Sequence, residues 1–252
     1  MLDIKKINKI ADPKVRKQLK LDILDSIKRK KDTKLRTEFL PFVKHIWPDF
    51  IEGYHHNKIA DAFNRLRTGK LKRLIVNMPP RHTKSEFASY FLPAWMIGND
   101  PKLKIIQATP TAELAVRFVI DSTEYQDLFK TRLREDSKAA GRWETDQGGE
   151  YFAVGVQGAV TGRGADLLII DDPHSEQDVY SSTAFEKAYE WYTSGPRQRL
   201  QPGGRIVLVM TRWSTKDLTA QLVNAGAKEA KADQWEVIEF PAIMNSGKPV
   251  WP

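Results

Sequence analysis

Two apolar runs without alternation constrain the fold more than any other feature of the sequence. They are LLII at 167–170 and IVLVM at 206–210. Strands that are apolar on both faces are typical of the buried middle of a parallel sheet. Helical patterns of ten or more residues separate the predicted strands, which indicates parallel βαβ units. We therefore predict an α/β fold: an open, mostly parallel sheet with helices on both faces.

The remaining elements follow from periodicity and turn residues. We predict strands at 71–78, 102–109, 165–172, 204–211 and 234–242, and a hairpin over 142–156 that turns at Gly148 and Gly149. Predicted helices are 55–69, 86–97 with a kink at Pro93, 111–129 with Thr111 as N-cap, 181–195 and 214–226. Ligands of such sheets bind beyond the carboxyl ends of the strands. The loops after 78, 109, 172 and 211 are therefore the places to look for a site.

The N-terminal segment differs from the rest in charge. Residues 1–36 contain 13 Lys or Arg and five Asp or Glu, and so carry the whole formal net charge of +8. We assign residues 1–45 to a basic helical segment and 46–252 to the main domain. Apolar residues recur at a spacing of four, and we expect this stripe to dock on the core: Val15, Leu19, Ile23 and Ile27. We expect a short linker at 31–36. The segment either contacts nucleic acid or an acidic partner, or is a solvated helix face.

Bulk composition excludes several classes of protein. The chain has no cysteine, so it contains neither disulfides nor thiolate metal sites. No run approaches the roughly 20 apolar residues that span a bilayer, and the charged N-terminus lacks the apolar region of a secretory signal. We expect a protein that is neither secreted nor membrane-bound.

The first chemical motif is MPPRHTKSE at 78–86, which follows an apolar strand and precedes a helix. That is the context of a phosphate-binding loop, in which backbone N–H groups and a helix N-terminus hold phosphates. Lys84, expected to be exposed, would reach the β and γ phosphates, and the Ser85 hydroxyl would bind Mg²⁺. The glycines of the usual loop pattern are replaced by Met78 and Thr83. The nucleotide-contacting residues we predict here are Pro80, Arg81, His82, Thr83, Lys84, Ser85 and Glu86.

The second motif is the pair of carboxylates that ends LLIIDDP. Two adjacent Asp at the mouth of a sheet repel each other, and a bound Mg²⁺ would relieve that repulsion. Asp171 would hold the metal, and Asp172 would orient or deprotonate the attacking water. Alternatively, Asp172 caps the strand in a turn before Pro173. Thr211, at the tip of another apolar strand, could contact the γ phosphate or the water, with Arg212 ordering its loop.

Three blocks resemble the large terminase subunits of tailed phages. They are NMPPRHTKSE at 77–86, GRGADLLIIDDPHS at 162–175 and GGRIVLVMTRWSTKDL at 203–218, and the resemblance runs from about Trp47 to the C-terminus. It implies a P-loop ATPase domain with an additional strand between its two nucleotide motifs, filled by KIIQAT at 104–109. Upstream, EGYHHNKIADAF is similar to the segment that reads adenine in that family, which implies base contacts for Tyr54, His55 and His56.

The resemblance also implies function and partners. It implies ATP hydrolysis with Mg²⁺, coupled to translocation of double-stranded DNA into a procapsid, with portal protein and a small terminase subunit as partners. A homo-oligomeric ring would assemble on the procapsid in the cytoplasm of the infected host, from chains that could be monomeric in isolation. Arg163 would be an arginine finger offered to a neighbouring subunit, with Arg81 as the alternative within the same chain.

Two departures from the family leave questions open. The family's catalytic carboxylate is commonly Glu, so either Asp172 sits closer to the water or another acid, such as Glu176, assists. The resemblance implies a nuclease domain after the ATPase domain, but the chain stops at Trp251-Pro252. Either this is a fragment or cleavage resides elsewhere, and we expect no nuclease activity from this chain. Two rival functions remain: another nucleic-acid-dependent ATPase of helicase type, and a non-hydrolysing DNA- or partner-binding module with a degenerate phosphate loop.

Overall fold

A single mixed sheet organises the molecule. The structure is a computed structural model that describes residues 12–109, 115–139, 141–160, 162–181 and 183–251. Among these residues the sheet has eight strands in the order β3-β4-β5-β2-β6-β7-β1-β8. The strands are β1 (Arg73–Asn77), β2 (Lys104–Ala108), β3 (Leu133–Ala139), β4 (Arg142–Thr145), β5 (Glu150–Val154), β6 (Ala165–Asp171), β7 (Leu200–Met210) and β8 (Glu236–Glu239).

Most neighbouring strands run parallel. The pairs β1–β7, β1–β8, β2–β5, β2–β6 and β6–β7 are parallel, and only β3–β4 and β4–β5 are antiparallel within the described chain. In register, Asp171 lies opposite Val209, and Met210 lies opposite Asn77. The carboxyl ends of β1, β6 and β7 therefore meet at one edge of the sheet, which we call the carboxyl edge.

Helices cover both faces of the sheet. They are α1 (Pro13–Thr37), α2 (Phe39–Ile46), α3 (Tyr54–Arg67), α4 (Leu92–Asn99), α5 (Ala115–Asp121), α6 (Thr123–Leu128), α7 (Ala184–Ser194) and α8 (Leu218–Lys228). One apolar core joins the sheet to α2, α3, α4, α5 and α6, and a second joins its other face to α7 and α8. Because the parallel strands are covered on both sides, LLII and IVLVM are fully buried. The predicted fold class is confirmed.

The additional strand has a defined place. Along the chain, β2 lies between β1, which precedes the loop predicted to bind phosphate, and β6, which ends in the paired acids. In the sheet, β2 flanks β6, whereas β7 lies between β1 and β6. The two motif-bearing strands are thus separated by one strand only, and this spacing allows their loops to touch.

Several local predictions needed correction. The helix predicted over 111–129 is two helices, α5 and α6, because Ser122 takes an extended conformation and caps α6; Thr111 lies outside the described residues. Strand β3 was not predicted, because LREDSKA is charged, as edge strands often are. The kink expected at Pro93 is a π-helical segment, Glu86–Phe91, that ends where α4 begins.

The prediction that the N-terminal stripe docks on the core was wrong. Helix α1 runs unbroken through the predicted linker, because 31–36 contains neither Pro nor Gly to end it. Within α1 only Leu35 is buried, while Leu24 remains 61% and Ile27 54% exposed. The core begins at that C-terminal end of α1, where the Trp95 indole donates to the Leu35 carbonyl, and continues with Phe39 in α2.

Candidate active site

The loop between β1 and the π-helical segment takes a tightly curled path without glycine. Arg81 and Thr83 have φ angles of 62° and 60°, in the left-handed region that glycine favours. Thr83 occupies the place of the loop's second glycine and supplies its left-handed turn. Met78, in place of the first, is buried, and its N–H donates to the Met210 carbonyl at 3.1 Å. Of the two positions at which the usual loop has glycine, only position 83 is therefore in the left-handed conformation.

Lys84 is buried, and this corrects the expectation that its ammonium would be exposed. Only 6% of the side chain is accessible, and Nζ lies 2.8 Å from Oδ2 of Asp172. The burial has a physical cause: an ammonium group loses hydration only where a carboxylate compensates for it. Lys84 therefore points across the carboxyl edge from the β1 loop to the end of β6.

Asp171 ends β6 beneath two hydroxyl groups. Ser85 donates to Oδ1 at 2.9 Å and Ser89 donates to Oδ2 at 2.7 Å. The pKa of Asp171 is raised to about 6, chiefly by burial and also by the charge of Asp172, while the two serine hydrogen bonds act in the opposite direction. A carboxylate held at this cost suits a site that binds a cation.

Sequence reasoning missed Ser89. The signal was present, because Ser85 and Ser89 are four residues apart and therefore share one helix face. Ser89 is buried, whereas Ser85 is partly exposed and so lies nearer the mouth of the site. The two hydroxyl groups thus hold the Asp171 carboxylate from two depths, Ser89 in the interior and Ser85 nearer the surface.

Thr211 and Asp172 also meet at this edge. The Thr211 backbone N–H donates to Oδ1 of Asp172 at 2.8 Å, and Asp172 itself has a φ of 42°. Behind them, Arg212 donates to Asp217 at 2.9 Å and to Glu239 at 3.2 Å. Asp217 is fully buried and caps α8. Arg212 thus orders the loop after β7, as predicted.

The three candidates for adenine contact are placed very differently. Tyr54 is 60% exposed, whereas His55 and His56 are fully buried. The His56 ring nitrogens are bonded to the Gly53 N–H and the Thr83 hydroxyl at 2.7 and 2.6 Å. In this conformation Tyr54 alone of the three has an exposed ring.

The remaining candidates separate into two groups. Arg81 is exposed within the phosphate loop, and Glu176 is exposed in the 3₁₀ turn Glu176–Tyr180 that follows Asp172. Arg163 precedes β6, at the end of that strand opposite Asp171. Its guanidinium stacks 4.2 Å from the Phe152 ring centroid and lies 3.7 Å from Glu150. In this conformation the Arg163 side chain is therefore engaged with β5.

The donor set fits Mg²⁺ held together with phosphates. Ser85 and Asp171 offer hard oxygen atoms, and Mg²⁺ in phosphate sites takes one or two such protein ligands and completes its shell with phosphate and water. Among the described residues, no cluster of three or more His, Cys, Asp or Glu side chains could hold a metal by itself.

Comparisons with known proteins find structural similarity but no sequence match. No protein-family model matches the chain, and no curated protein matches its sequence. Its structure is similar to the large terminase of bacteriophage HK97, with 12% identity and a TM-score of 0.48, over 78% of this chain and 40% of that one. It is also similar to a DEAD box protein from the hyperthermophile Methanococcus jannaschii, with 13% identity and a TM-score of 0.43, over 78% of this chain and 56% of that one.

The chain thus spans about half or less of the length of either structure. At such identities its function has to be argued from its own residues. One further observation concerns location: within the described residues, none of the helices has the length and apolarity that crossing a bilayer requires.

Proposed function

We propose that this chain is a Mg²⁺-dependent ATPase. One observation carries the proposal: residues far apart in the sequence meet at the carboxyl edge and bring together the cation, hydroxyl group and carboxylates that a phosphate-transfer site needs. Lys84 lies 2.8 Å from Asp172, Ser85 lies 2.9 Å from Asp171, and the Thr211 N–H lies 2.8 Å from Asp172. Phosphoryl transfer depends on positioning and charge stabilisation, which these groups supply.

Nucleotide binding would rearrange this set of bonds. Phosphate oxygens would take Lys84 from Asp172, since an ammonium pairs with whichever anion is closer and more highly charged. Oδ2 of Asp172 would then be free to accept a proton from water, while the Thr211 N–H keeps Oδ1 in place. The ion pair thus represents the resting state of the site.

Ser85 would exchange partners in the same step. Its hydroxyl would turn from Asp171 toward the metal, and Asp171 would face the metal directly or through water. The bound metal would neutralise charge on the transferring phosphate. Ser89 keeps its hydrogen bond, so one oxygen of Asp171 stays fixed while the other becomes available.

We further propose a role in DNA packaging, which rests on the sequence resemblance to large terminases. Hydrolysis would drive translocation of double-stranded DNA into a procapsid, with portal protein and a small subunit as partners, in the host cytoplasm. A ring of chains would bring Arg163 of one subunit to the nucleotide of the next. Exposed Arg81 would be the alternative, acting in the same chain. Tyr54 would stack on adenine.

The test is hydrolysis of ATP with and without Mg²⁺ and DNA, using Lys84→Ala as the inactive comparison. We expect Mg²⁺-dependent hydrolysis that double-stranded DNA stimulates and Lys84→Ala abolishes. Stimulation by single strands together with unwinding would favour a helicase-type ATPase. Nucleotide binding without turnover under all conditions would identify a binding module and contradict the proposal.

A further inference from the structure

The phosphate loop has a left-handed residue that is poorly suited to that conformation. Thr83 has a φ of 60°, and a β-branched side chain there crowds the backbone. Thr83 immediately precedes Lys84, and its carbonyl accepts the Phe87 N–H at 3.0 Å, the first hydrogen bond of the helix. The conformation of Thr83 therefore sets the direction from which Lys84 leaves the loop.

A chain of hydrogen bonds holds Thr83 in place. Its hydroxyl donates to the His82 carbonyl at 2.7 Å and lies 2.6 Å from Nε2 of His56. Nδ1 of His56 accepts the Gly53 N–H at 2.7 Å, so the ring proton belongs on Nε2 and points at the Thr83 oxygen. Both hydrogen-bonding groups of the ring and both roles of the hydroxyl are thus used.

The His56 ring cannot easily turn away. It is fully buried, with its centroid 4.7 Å from the Phe50 ring, 4.9 Å from Phe87 and 5.3 Å from Trp251. Burial lowers the pKa of His56 to about 3, so the ring stays neutral with a single N–H. A neutral, fixed donor is what a permanent support of the loop requires.

We infer that His56 is a positioning residue of the phosphate loop, whose hydrogen bond to Thr83 performs the conformational task that glycine performs elsewhere. The inference rests on the proposed nucleotide site, and it assigns His56 to the loop backbone, separate from recognition of the base. It also explains why Thr can stand at 83, since the hydroxyl that bonds His56 is what Val would lack.

Three substitutions at Thr83 test this without disturbing the core, read out by calorimetric titration with ADP and Mg²⁺. Thr83→Gly should bind more tightly than Thr83→Val, because glycine adopts the left-handed conformation without help. Thr83→Ser should keep most of the affinity. Thr83→Val should lose about tenfold in affinity, because the hydrogen bonds of the hydroxyl then no longer offset the left-handed penalty of an L residue. Equal affinity for the Val and Gly variants would overturn the inference.

A cycle with His56 supplies the second arm. His56→Leu should bind ADP and Mg²⁺ weakly, and Thr83→Gly in that background should restore affinity. His55→Leu is the matched control, since His55 is equally buried but has no hydrogen bond to Thr83; there Thr83→Gly should bring no recovery. An equal effect of Thr83→Gly on ADP affinity in both backgrounds would contradict the role of His56 as a positioning residue.

Urea unfolding of the same proteins separates this inference from the proposed function. Thr83→Gly should raise the free energy of unfolding in the His56→Leu protein and fail to raise it in the wild type. If the wild type did not bind ADP, the proposed function would fail, while the difference between the two effects of Thr83→Gly on the free energy of unfolding would still decide the role of His56. The same effect of Thr83→Gly in both proteins would refute the inference.

Discussion

The carboxyl edge of the sheet and the helix α1 both carry many charged side chains, but some of these are buried at the edge, whereas most are exposed along the helix. At the edge, Lys84 and Asp171 are buried, and each is bonded to a partner within 3 Å. Along α1, charged side chains stand in solvent, and Leu24 and Ile27 are exposed beside them. Burial of an ion costs several kcal/mol, so a buried charge needs a compensating partner or a role, as Asp217 has at the start of α8. The comparison is what the proposed function expects: hydrolysis at the edge, with α1 either contacting another molecule or forming a solvated helix.

Substitution of Arg163 has the largest expected effect, because it tests whether the carboxyl edge needs an arginine from a neighbouring chain. If its guanidinium serves a neighbour, activity per chain should rise with protein concentration or on assembly with portal protein. Arg163→Ala should then lower the hydrolysis rate of the assembled protein by a factor of about 10³–10⁵. Steady-state hydrolysis measured over a concentration series checks this.

A mixing experiment separates the two arginines. An Asp172→Asn chain can still offer Arg163, and an Arg163→Ala chain can still turn over, so the two should partly restore activity together. If Arg81 acts within its own chain, rates per chain will not depend on concentration and mixing will rescue nothing. That pair of results would exclude a finger from a neighbour.

Asp172→Asn tests the catalytic end of the edge. Turnover should fall by about 10²–10⁴, the usual contribution of a general base, while nucleotide binding survives. The carboxamide oxygen can still accept the Thr211 N–H, so the loop should remain in place. Normal turnover would show that the base lies elsewhere, and Glu176→Gln would be the next variant to measure.

Ser89→Ala tests the support beneath Asp171. Loss of one of its two hydroxyl partners should weaken Mg²⁺-dependent nucleotide binding by about tenfold, as loss of outer-shell partners does elsewhere. Asp171→Asn should weaken it further, because the charge itself is lost. A magnesium titration of the hydrolysis rate measures both. A Ser89→Ala protein with an unchanged magnesium requirement would show that Ser85 alone orients Asp171.

Removal of residues 1–30 should have the smallest effect on the edge and tests the other side of the comparison. The truncation keeps Leu35, whose side chain and carbonyl contact the core. Nucleotide affinity should therefore be unchanged. Attachment to DNA or to an acidic partner should weaken and lose about one unit of its logarithmic salt slope per lost phosphate contact. Equal affinity and slope would make α1 a solvated helix.

The sequence was most informative where topology decides position. Strand-end residues such as Asp171 and Thr211 could be placed at one edge because parallel strands bring their carboxyl ends together. The apolar runs LLII and IVLVM could be placed in the buried middle for the same reason. These inferences need only strand direction and burial, both of which a linear pattern records.

The sequence was least informative where a contact joins distant elements. Nothing local shows that His56 in α3 would bond Thr83, or that Lys84 would be buried against Asp172. The stripe at Ile23 and Ile27 also misled, because periodicity reports that a helix has an apolar face and says nothing of what covers it. Such questions depend on packing in three dimensions.

The central claim is that the carboxyl edge binds nucleotide through Lys84, and a calorimetric titration with a non-hydrolysable ATP analogue in Mg²⁺ tests it most directly. Lys102→Ala is the matched control, since Lys102 is exposed and precedes β2 at the opposite edge of the sheet. We predict that the wild type and Lys102→Ala bind with equal affinity, and that folded Lys84→Ala does not bind measurably. Equal binding by all three proteins, or binding by none, would contradict the account.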